Sequence, residues 1–154
     1  SLLAANPRLV VLRTFSKAYG LAGLRVGYAF GRARLIAGFR AASTPFGVNA
    51  LAQVAALASL RSAPALLERV EELVVERERL VAALREQGWV IPDAQGNFVW
   101  FGVGDQAREL ARAFEESGVI VRPFAGEGVR VSVGEREAND LVIAVAGEYA
   151  ASRS

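Results

Sequence analysis

A short uninterrupted apolar run, Leu9-Val10-Val11-Leu12, leads straight into hydroxyls and glycines: Thr14-Phe15-Ser16-Lys17-Ala18-Tyr19-Gly20-Leu21-Ala22-Gly23-Leu24-Arg25-Val26-Gly27. Runs of this kind fit strands of a parallel sheet covered on both faces. Open α/β sheets place ligands beyond the carboxyl ends of their strands, which is where Thr14 to Lys17 fall. Gly20 to Gly23 reads as a loop that lets backbone come close to another group. Val26 to Phe30 reads as a second strand, closed by Gly31.

Lys17 is the sole lysine; every other basic side chain is arginine. A guanidinium stays protonated at any working pH, whereas an amine can lose its proton and attack a carbonyl. An isolated lysine can also be a surface residue left by a bias toward arginine. Its surroundings favour the chemical reading. Thr14 and Ser16 offer hydroxyls, and Arg25 offers a planar fork for phosphate oxygens. An amine for an aldehyde, with hydroxyls and an arginine for a phosphate, is the equipment for holding pyridoxal phosphate. Partial burial and a nearby guanidinium would both favour the neutral amine.

The remaining elements follow from periodicity and punctuation. Arg32 to Arg40 carries Leu35, Ile36 and Phe39 on one helical face. Ser43 to Asn49 is a loop. Ala50 to Leu60 predicts a helix apolar nearly all round, hence buried. Pro64 opens the longest helix, which runs to about Gln87 with Gly88 as its stop. Its charged side, from Glu68 to Arg79, reads as a solvated face with i,i+3 and i,i+4 pairs. Trp89-Val90-Ile91 and Asn97 to Phe101 read as strands. Asp105 is placed to cap a helix through Ser117, with Gly118 ending it. Val119 to Arg122 reads as a strand stopped by Pro123, Val129 to Val133 as an alternating strand, and Glu135 to Tyr149 as a final helix. Strand, helix, strand, strand and helix pack as helices on one face of a small sheet. The opening Ser1 to Pro7 reads as the last turn of a helix and its exit, so a start inside a larger fold is expected.

In the alternating strand, Arg130 points away from the face shared by Val129, Val131 and Val133. An arginine on a rigid strand suits a carboxylate; the plainer alternative is a surface arginine on a half-exposed sheet. Arg122 can take a substrate phosphate, a second carboxylate oxygen or a structural acid. Tyr19, Phe46 and Phe124 either line a flat side-chain pocket or simply pack.

Composition narrows the alternatives. With no cysteine and no histidine, disulfides, thiolate chemistry and the commonest general base are excluded. The net charge is only +2, and no basic run interleaves with aromatics, so no nucleic-acid partner is expected. No apolar run reaches the roughly 18 residues of a membrane span, and the cytoplasm is the expected location.

Thr14 to Lys17, Gly20 to Gly27, Pro45-Phe46-Gly47-Val48-Asn49, Asn97-Phe98-Val99, Val119 to Pro123 and Val129 to Gly134 occur in this order in the histidinol-phosphate aminotransferase family. The chain resembles these fold-type I pyridoxal-phosphate enzymes, most closely the branch that includes aromatic amino acid aminotransferases. The resemblance implies an α/β fold made of three parts. Residues 1–63 end the large cofactor-binding domain, 64–88 form a connecting helix, and 89–154 form the small carboxyl-terminal α+β domain. It implies Lys17 as the catalytic lysine that bonds pyridoxal 5'-phosphate, with Thr14, Ser16 and Arg25 as phosphate ligands. Arg130 becomes the substrate-carboxylate arginine, with Arg122 and Tyr19 as further substrate contacts. It also implies amino-acid and 2-oxo acid substrates and a homodimer. The family's aspartate for the pyridine nitrogen and its ring-stacking aromatic have no candidate here, so the chain alone is expected to be inactive. A decarboxylase or lyase of the same fold type, or a non-catalytic amino-acid-binding or association module, are the competing readings.

Overall fold

The computed structural model describes residues 2–152. They divide into two compact units, Ser1–Arg69 and Val70–Ser154, with the division inside the longest helix.

In the first unit a short helix α1 (Leu2–Ala5) precedes strand β1 (Val10–Thr14). The chain then turns through a single 3-10 turn, Ala22–Leu24, into β2 (Gly27–Gly31), which pairs with β1 antiparallel in the register Val10↔Gly31 to Thr14↔Gly27. The pairing of these two strands with each other is therefore antiparallel. A connection this short brings β2 back alongside β1 reversed. Gly27 is needed for this pairing, because a Cβ there would stand 2.6 Å from the Arg13 carbonyl oxygen. Helices α2 (Ala33–Ala42) and α3 (Ala50–Arg61) follow. Asn49 caps α3 by accepting the Ala52 N–H at 2.8 Å.

Contrary to expectation, α3 is not buried all round. Only Ala52 and Ala56, one i,i+4 edge, are buried, and they pack with Phe15 and Val26. Leu51, Val54, Leu57 and Leu60 are exposed among the described residues.

Helix α4 (Ala63–Glu86) is the long helix, and Gly88 at φ +91° ends it. The second unit is built on Leu80 and Leu84 of this helix and on a three-stranded antiparallel sheet in the order β3-β5-β4. The strands are β3 (Phe98–Phe101), β4 (Arg122–Phe124) and β5 (Gly128–Ser132). Helices α5 (Ala107–Glu116) and α6 (Arg136–Ala151) contribute Leu110, Phe114, Val142 and Val145 to one core with Val99, Phe101, Val129 and Val131.

Three local expectations are corrected in this unit. Trp89 to Ile91 is not a strand. The Trp89 N–H donates to the Leu84 carbonyl, and the Ile91 carbonyl accepts from Arg85, so the end of α4 uses these backbone groups. Pro123 does not stop a strand; it lies inside β4, an edge strand that can spare the missing N–H. Asp105 makes no side-chain cap. A 3-10 turn, Gly104–Gln106, leads into α5 instead. Among the described residues no single helix is long and apolar enough to cross a membrane.

Candidate active-site loop and arginine face

The first unit gathers the Lys17 motif on one loop. The Phe15 N–H donates to the Val26 carbonyl at 3.1 Å, extending the β1–β2 pairing by one residue. Phe15 is buried and anchors the loop, with Tyr19 at 5.0 Å and Tyr28 at 5.8 Å between ring centroids. Tyr19 therefore packs against Phe15, whereas Phe46 is fully exposed at φ +57°.

The Ser16 N–H donates to Thr14 Oγ1 at 3.0 Å. That bond occupies a lone pair of the Thr14 oxygen and leaves its hydroxyl hydrogen for another acceptor. The Lys17 carbonyl accepts from the Gly20 N–H at 2.9 Å, closing a turn that needs Gly20 at φ +69°. Arg25 is one of two non-glycine described residues at positive φ (54°), and its Nη1 donates to the Ala22 carbonyl at 2.7 Å. Left-handed backbone at a non-glycine residue costs energy and tends to collect at functional sites. The remaining guanidinium N–H groups of Arg25 are not used by that bond.

Lys17 is exposed, and its side chain makes no hydrogen bond or ion pair among the described residues, so the expected partial burial is not present in this chain. The donor set suits a phosphorylated aldehyde: two hydroxyls, an arginine with N–H groups to spare and one amine, with no carboxylate in Thr14 to Gly27 to repel an anion.

The second unit brings two of the expected arginines together. Arg130 on β5 pairs directly with Arg122 on β4 and, across its other edge, with Trp100 on β3. Residues paired this way point to one face, so Trp100, Arg130 and Arg122 form a row on the side opposite the helices. Arg130 lies over the Phe98 ring at 5.6 Å, and Arg122 over the Phe124 ring at 5.3 Å. Neither guanidinium meets a carboxylate among the described residues. Two opposed like charges are unfavourable, and an anion shared between them relieves this. Sequence reasoning missed Trp100 and Phe98 as members of this face. The run Phe98-Val99-Trp100-Phe101 is apolar throughout and marks neither face, and only the register with β5 puts Trp100 beside Arg130.

The profile of the aminotransferases of class I and II matches residues 1–145, and the chain belongs to this family. The resemblance to an aminotransferase family is thus borne out. Over 144 residues the chain is 57% identical to the aromatic amino acid aminotransferase of Streptomyces avermitilis, covering 94% of this chain and 40% of that protein. It is 29% identical to the histidinol-phosphate aminotransferase of Sinorhizobium meliloti, solved in complex with pyridoxal-5'-phosphate, at a TM-score of 0.77. That match covers 96% of this chain and 42% of the other. It is also similar to the L-threonine-O-3-phosphate decarboxylase of Porphyromonas gingivalis, at 25% identity and a TM-score of 0.74, covering 96% and 48%. The chain spans about 40% of the length of the curated relatives it matches.

Proposed function

We propose that this chain supplies the reactive amine and the anion-binding arginines of a pyridoxal 5'-phosphate-dependent aminotransferase. Its amino donors are aromatic amino acids or histidinol phosphate, and a 2-oxo acid such as 2-oxoglutarate is the acceptor. The observation that carries this reading is the loop holding the sole lysine: an open amine next to two hydroxyls, one with its oxygen already occupied and its hydrogen available.

When bound, pyridoxal phosphate provides an aldehyde for the amine and a ring that accepts electrons from a carbanion. The chain's own residues do the rest. Thr14 and Ser16 donate hydroxyl hydrogens to phosphate oxygens, and Arg25 adds charge-assisted N–H donors. Lys17 Nζ moves a proton at the substrate α-carbon as general base and acid. Arg130 holds the substrate carboxylate, and Arg122 takes a second anionic oxygen. Tyr19 is a further substrate contact through its ring. The 154-residue chain alone is expected not to turn over, and the working enzyme is a cytoplasmic homodimer.

The test uses the single lysine. Incubation of the chain with micromolar pyridoxal phosphate, then borohydride, should leave one phosphopyridoxyl group, mapped by peptide mass to Lys17. Arg25→Ala and Ser16→Ala should each weaken labelling. Equal labelling in those variants would mean that Lys17 reacts as any exposed amine does, and the proposal fails. The similarity to a decarboxylase keeps a second reaction open. Product analysis of the longer enzyme separates a 2-oxo acid from an amine with released carbon dioxide.

A further inference from the structure

We infer that Trp100, backed by Phe124, is a specificity-determining residue. It forms an apolar shelf beside the Arg122–Arg130 pair that favours anions carrying a flat apolar group. This rests on the reading of the arginine pair as an anion site.

Three observations carry it. First, Trp100 and the two arginines share one row across β3, β5 and β4, and Trp100 is the immediate cross-strand neighbour of Arg130. Second, the indole is held in place. The Phe124 ring meets it at 5.5 Å and 62°, and Gly128 lies beneath it without a side chain; a Cβ at Gly128 would stand 2.7 Å from the indole. Third, the indole is only half-buried, so part of its surface stays open on the face that presents the guanidinium groups.

A small aliphatic carboxylate on this face engages the arginines alone. An aryl carboxylate adds ring contact with Trp100 and removes apolar surface from water on both partners. One such aromatic contact corresponds to about tenfold in affinity. Discrimination then comes from the sheet itself, separately from whatever holds the charged end.

The experiment titrates the 154-residue chain with 3-phenylpropionate and with propionate, following the arginine Nε–H and tryptophan indole N–H cross-peaks by NMR. Phenylpropionate should bind about tenfold tighter and shift the Trp100 indole. Trp100→Leu, checked for folding by circular dichroism, should reduce that preference to less than about threefold while leaving propionate unchanged. Arg122→Gln with Arg130→Gln should abolish both titrations. A preference unaltered by Trp100→Leu overturns the shelf while the anion site stands. Propionate binding unaltered by the double arginine variant overturns the anion site, and no saturable shift with either ligand overturns both.

Discussion

Gly128→Ala asks how tightly the sheet under the arginine face is closed. A Cβ at this position would overlap the Phe101 carbonyl oxygen on the neighbouring strand and crowd the Trp100 indole. Gly128 is not at positive φ, so alanine meets no conformational penalty there. Alanine in fact gains about 0.4–1 kcal/mol by restricting the unfolded chain. Against this stands a backbone carbonyl that cannot rotate aside as the end of a flexible side chain can. β5 has to part from the Phe101 end of β3, at about 1 kcal/mol for a weakened ladder bond and about 1–3 kcal/mol for overpacking. The loosened Trp100–Phe124 contact adds about 0.5–1.5 kcal/mol. The net expectation is a loss of about 1.5–5 kcal/mol from the second unit. Urea unfolding followed by far-ultraviolet circular dichroism reads this as a midpoint lowered by more than about 1 M, alongside a shifted Trp100 indole cross-peak. A midpoint within about 0.3 M of the parent would refute the reasoning, because the two strands would then be free to separate without cost.

Gly118→Ala gives the complementary case. Nothing lies within 4 Å of its Cβ, but φ is +84°, so about 1 kcal/mol is expected from backbone strain alone, with no change at Trp100. Hydrogen bonds from Arg79 and then Asn139 hold the Glu76 carboxyl below its ordinary value of 4.5. Glu76 thus stabilises the fold above the unfolded-state value, and this contribution is lost as pH falls through the lower folded-state value. Glu76→Gln should flatten the acid side of a stability–pH profile taken by urea midpoint, and an unchanged slope would rule Glu76 out. Arg77 is buried and its Nη1 donates to the Gly96 carbonyl at 3.3 Å. Arg77→Met, which keeps the packing stem, should cost about 1–2 kcal/mol and speed amide exchange across residues 91–97.

Much of the second unit was legible because its signals are local. Gly88 and Gly118 end helices through a backbone conformation that other residues resist. The alternation of Val129, Arg130 and Val131 sorted core from open face within one strand, and the strand pairing keeps that sorting. The misreadings share a different cause. Trp89 to Ile91 has strand composition, yet its backbone is taken by Leu84 and Arg85 of the preceding helix. α3 has the composition of a core helix, yet only its Ala52–Ala56 edge is covered. In each case the outcome depends on which other element comes near.

The amino-acid order alone determined where most helices and turns fall, the single amine and its hydroxyl neighbours, and membership of the aminotransferase family. These are properties of residues close together in the chain, where sterics and periodicity act directly. The direction of the β1–β2 pairing, the exposure of Lys17 and the placing of Trp100 beside Arg130 were decided only in three dimensions. Trp100 and Arg130 stand thirty positions apart in the chain, and only the register of β3 against β5 makes them neighbours.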